Sequence, residues 1–83
     1  MNAFSQALAK VIADNPGITI DVKEGTCVVG FWFETAVGRD YVCACKTSFD
    51  DAFTAAMQRR IEKTASALIE AEVRREVEAR MAA

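Results

Sequence analysis

The chain has no histidine, one proline, four glycines and three cysteines among its 83 residues. Each shortage closes off a class of function. Without histidine, the commonest general base and a usual zinc ligand are missing. Cys27, Cys43 and Cys45 form an odd set with no histidine beside them, so neither a disulfide framework nor a zinc site is expected. A reducing cytoplasm suits them. Asp50 and Asp51 are adjacent, diverge by about 100° on a helix, and make no acid–base pair. Gly17, Gly25, Gly30 and Gly38 lack the spacing of a phosphate-binding loop. The expectation is a protein without catalytic residues, metal or cofactor.

Long apolar runs are also missing: none approaches the roughly 18–20 residues needed to span a bilayer. The first residues lack the basic-then-apolar layout of a secretory signal. These absences point to a cytoplasmic protein without a membrane partner. Charge of one sign is scarce too. Residues 1–48 carry four basic and five acidic side chains and residues 49–83 six and seven, for a net charge of −2. No basic stripe offers to displace counterions from nucleic acid.

What is present is an apolar fraction of 52% arranged with clear periodicity. Residues 3–13 place Phe4, Leu8, Val11 and Ile12 on one helical face, with Ala3 and Ala7 beside them. Asn2 is a candidate cap, and Asn15-Pro16-Gly17 ends the helix. Ile18 to Lys23 then alternates as a strand. Glu24-Gly25 reads as a two-residue turn into a second strand, Thr26 to Thr35. A three-residue loop, Ala36-Val37-Gly38, is predicted to return the chain as a third strand, Arg39 to Lys46. In that register Phe33 faces Tyr41, Phe31 faces Cys43 and Val29 faces Cys45, with the bulkier residues and both thiols on the inner face.

Thr47 or Ser48 is expected to cap a last helix, with Asp50 and Asp51 in its first turn. A row spaced four apart runs along it: Phe49, Phe53, Met57, Ile61, Ala65, Ile69, Val73, Val77 and Met81. At 3.6 residues per turn the row drifts by about 40° per step and about 320° over its length. No flat surface covers all of it. The near half is expected to pack on the sheet, and the far half on something else.

The expected fold is α+β: a helix, a three-stranded antiparallel meander and a long C-terminal helix, with both helices on one face of the sheet. It forms a single domain over 1–83, with a core over about 3–64 and a helical overhang over about 65–83. Two surfaces are left for association. One is the outer sheet face, where Trp32 is expected beside Val28, Val42, Ala44 and Glu34. The partner-binding candidates are Trp32, Val28, Val42 and Glu34, because an aromatic centre in an apolar patch suits recognition. The other is the far helix, with Ile69, Val73, Val77 and Met81 as candidates for an oligomer interface.

The order helix–strand–strand–strand–helix over residues 3 to about 61 resembles that of double-stranded-RNA-binding domains. Those domains carry a basic cluster at the start of the second helix. Here the position reads Ser48-Phe49-Asp50-Asp51, which repels phosphate, and Lys23 alone marks the first strand-to-strand loop. In size, single-domain build and lack of histidine chemistry, the whole chain resembles small phage-encoded inhibitor proteins, including the anti-CRISPR proteins. That resemblance implies a non-enzymatic inhibitor that blocks a larger host machine by occlusion. The alternatives are a homodimeric structural or assembly protein joined through the far helix, and a nucleic-acid module.

Overall fold

The computed structural model describes residues 3–82, apart from the side chains of Phe4 and Ser5. The proposed Asn2 cap and the Phe4 position of the first helix's apolar face lie outside the described residues. The elements run α1 (Ala3–Asp14), β1 (Ile18–Lys23), β2 (Thr26–Thr35), β3 (Gly38–Lys46) and α2 (Phe49–Ala82). The strands form one antiparallel meander in the order β1-β2-β3. The fold is therefore α+β, with a helix, a meander and a long C-terminal helix, as its periodicities indicate.

Local chemistry sets the joints. Asn15 turns its side-chain amide back on the Val11 carbonyl at 2.9 Å, and the Ile18 amide donates to the Asn15 carbonyl at 3.0 Å. The first hairpin closes as expected, with Lys23 opposite Thr26, Ile20 opposite Val29 and Ile18 opposite Phe31. Gly25 supplies the positive φ of 68° that this two-residue turn needs and that a side chain would resist. At the start of α2, Ser48 Oγ accepts the Asp51 amide at 3.2 Å. Asp50 and Asp51 lie in that first turn, where the helix dipole favours negative charge.

The second hairpin differs from expectation by one residue. Its loop is Ala36-Val37, with Thr35 opposite Gly38, Phe33 opposite Asp40, Phe31 opposite Val42 and Val29 opposite Ala44. Thr35 holds this closure: its hydroxyl donates to the Gly38 carbonyl at 2.6 Å and accepts the Val37 amide at 3.2 Å. Side chains alternate along a strand, so a one-residue shift reverses every face assignment on β3. Val42 and Ala44 are core residues, 7% and 1% exposed. Cys43 and Cys45 are exposed, while Cys27 is the buried thiol.

The core lies between the inner sheet face and the near half of α2. Cys27, Val29, Phe31, Phe33, Val42 and Ala44 meet Ala52 and Ala56, with Ile18, Ile20, Phe49, Phe53, Ala55 and Met57 around them. Ala52 and Ala56 have no side-chain bulk, so the helix settles close over Val29 and Phe31, all four of them fully buried. Phe31 and Phe53 meet edge-on with ring centroids 5.6 Å apart. Arg60 closes the end of this layer, its guanidinium 5.3 Å from the Phe33 ring and 5.6 Å from Phe31. Arg59 donates to the main-chain carbonyl of Cys43 on the outer strand β3. The layer over the inner face belongs to α2, which packs on β2 and β3. Among the described residues, none from α1 joins the core; Leu8 and Val11 are half-buried and Ile12 is exposed.

Candidate protein-binding surfaces

The outer face of the sheet is organised around a missing side chain. Gly30 sits mid-strand in β2, and the Tyr41 hydroxyl lies directly over it. A Cβ at Gly30 would also come within 2.6 Å of Thr19 Oγ1. Thr19 and Tyr41 share a hydrogen bond of 2.9 Å across that gap. Tyr41 is thus drawn flat along the sheet beside its cross-strand partner Trp32, with ring centroids 4.7 Å apart. Arg39 places its guanidinium 5.2 Å from the Trp32 ring centroid, within cation–π range.

The Trp32 ring is held from two directions, and the residue is still 45% exposed. The Trp32 amide donates to the Gly17 carbonyl at 2.9 Å, which ties its backbone to the start of β1. Glu34 is exposed opposite Arg39, and Val28 is half-buried opposite Cys45. Three of the four expected patch residues, Trp32, Val28 and Glu34, therefore share this face. Val42 does not: the register of β3 turns it into the core, and Tyr41 and Cys43 take the places expected for Val42 and Ala44. Sequence reasoning missed Tyr41 and Arg39. The signal for them was Gly30, because a glycine inside a strand marks the close approach of another group.

The second surface is α2 beyond the sheet. The helix continues unbroken to Ala82, about 50 Å from its start at 1.5 Å per residue. Beyond Arg60, among the described residues, only Ala67 is buried and Ala71 half-buried. Ile69, Val73, Val77 and Met81 are 66%, 54%, 48% and 81% exposed. Ile61 and Leu68 are exposed as well, and Leu68 stands off the four-residue row that directed attention to the others. Among the described residues, three ion pairs run along this segment: Glu70–Arg74 at 2.6 Å, Glu72–Arg75 at 3.7 Å and Glu76–Arg80 at 3.1 Å.

Among the described residues, no three His, Cys, Asp or Glu side chains gather to hold a metal ion, and no helix is long and apolar enough to cross a membrane. No family model, curated protein or solved structure matches the chain. The geometry alone carries the functional reading.

Proposed function

We propose that the chain is a non-enzymatic protein-binding module whose outer sheet face docks on a larger protein and occludes it. The observation that carries this reading is the cluster of exposed Trp32 and Arg39 around half-buried Tyr41 on that face. Trp, Tyr and Arg are the residue types that most often dominate binding energy at protein interfaces. Here the tilted contact with the Tyr41 ring and the guanidinium of Arg39 restrain Trp32 before any partner arrives, which lowers the ordering cost of binding. Val28 and Glu34 extend the contact, the first apolar and the second polar, in keeping with an apolar centre and a charged rim. Occlusion of this kind suits a small inhibitor of the anti-CRISPR type. Double-stranded-RNA binding is disfavoured by the exposed Asp50 and Asp51 at the start of α2.

The test is capture of interacting proteins by the wild type, Trp32→Ala and Val73→Asp, compared by quantitative mass spectrometry. A central tryptophan truncated to alanine costs about 2 kcal/mol or more, roughly a thirtyfold loss of affinity. The specific partner is therefore expected to vanish with Trp32→Ala and to persist with Val73→Asp. Equal recovery by all three would reject the outer face as the docking surface.

A further inference from the structure

We infer that Cys43 and Cys45 form a two-thiolate site for a single soft monovalent ion of the copper(I) class. The inference rests on β3 and stands apart from the docking reading of the Trp32 cluster. Both thiols are free and exposed, and they take alternate positions of one strand. They therefore stand side by side on the outer sheet face. Their spacing decides what they can do. Two residues apart on a strand, the Cα atoms are about 6.7 Å apart, and the parallel Cβ atoms nearly as far. A disulfide needs Cβ atoms about 3.5–4.5 Å apart, so it cannot close while the strand is intact. A metal ion can bridge the same gap. Sulfur bonds of about 2.3 Å on either side of one ion hold the two sulfurs at most about 4.6 Å apart. A χ1 of about 180° at Cys43 and about −60° at Cys45, the two rotamers common in strands, leans the sulfurs toward each other to that distance.

The surroundings select the ion. Among the described residues, no third His, Cys, Asp or Glu side chain joins the pair. Cys27 is turned into the core, and the residues facing Cys43 and Cys45 across β2 are Gly30 and Val28, which bring no ligand. Zinc takes four ligands and is poorly served by two, whereas copper(I) favours soft thiolates and is satisfied by a pair. The backbone that carries the thiols is held on both sides. Val42 and Ala44 pair with Phe31 and Val29 on β2, and Arg59 donates to the Cys43 carbonyl from the free border. This fixes the direction of both side chains before an ion arrives. On binding, each thiol gives up its proton to solvent and no electron changes hands. Two thiolates on one monovalent ion leave a net negative charge. A shallow cleft at the same border, lined by Cys43, Arg59, Glu62 and Lys63 among others, sets two positive charges against one negative beside it.

The test uses the reduced full chain, titrated anaerobically with Cu(I) in competition with the chelator ferrozine. Native mass spectrometry is expected to show one ion on each monomer, and both exposed thiols should be protected from Ellman's reagent. Cys43→Ser and Cys45→Ser should each weaken binding by about a hundredfold or more, at least the loss that an outer-shell partner of a metal causes. Far-ultraviolet circular dichroism reports that each variant keeps its fold. Zn(II) in place of Cu(I) should leave the thiols open to the reagent. Failure of the wild type to retain Cu(I) against ferrozine overturns the inference. So does a folded single-serine variant that binds at wild-type strength, an ion shared between two chains, or equal protection by Zn(II).

Discussion

Gly30 shows how one residue without a side chain arranges its neighbours. The Tyr41 hydroxyl occupies the space over it, Thr19 holds that hydroxyl, and the Tyr41 ring then lies against Trp32. Gly30→Ala should force the tyrosine out, and overpacking of this kind costs about 1–3 kcal/mol. For a domain of this size each kcal/mol lowers the melting temperature by roughly 4–8 °C. Urea or thermal unfolding measures the loss, and in a Tyr41→Ala background the same substitution should cost much less. An equal cost in both backgrounds would show that Tyr41 is not the obstruction. The exposure of Trp32 was readable from strand alternation alone. Its aromatic and cationic companions were not, because they depend on which face of β3 turns outward.

At the scale of elements, the first hairpin was legible because only one face of β1 is apolar: Ile18, Ile20 and Val22 against Thr19, Asp21 and Lys23. The second was ambiguous. β3 offers Tyr41, Cys43 and Cys45 on one side and Val42 and Ala44 on the other, so either can be read as a core stripe. Counting bulk favours the first set. Packing favours the second, because Ala52 and Ala56 bring α2 too close to the sheet for larger partners, and Gly30 reserves its outer surface for Tyr41. This register has a direct chemical test. A thiol-reactive dye such as Ellman's reagent should label two cysteines quickly in the native protein, Cys43 and Cys45, and the third, Cys27, only on unfolding. A single fast thiol, or none, would contradict the strand pairing. The far part of α2 was legible from its four-residue drift, and no glycine or proline interrupts it. Its surface ion pairs, each worth about 0.3–0.5 kcal/mol, support helix in water but leave Val73 and Val77 uncovered.

The whole molecule is a small sheet layer carrying a rod. Its radius of gyration is 17.0 Å and its longest extent 62 Å, whereas a compact chain of this length would have a radius of gyration of about 12 Å. Small-angle scattering at low concentration should return the elongated monomer. A radius of gyration of about 12 Å would instead show α2 folded back on the sheet. Arg59 has a consequence at this scale. With its guanidinium bonded to the Cys43 carbonyl, a border strand of the sheet has one acceptor fewer to offer an incoming chain. On the opposite border, Asp21 and Lys23 discourage strand addition with charge. Growth into fibres by sheet extension is thereby hindered at both borders, and concentrated solutions should resist conversion to amyloid.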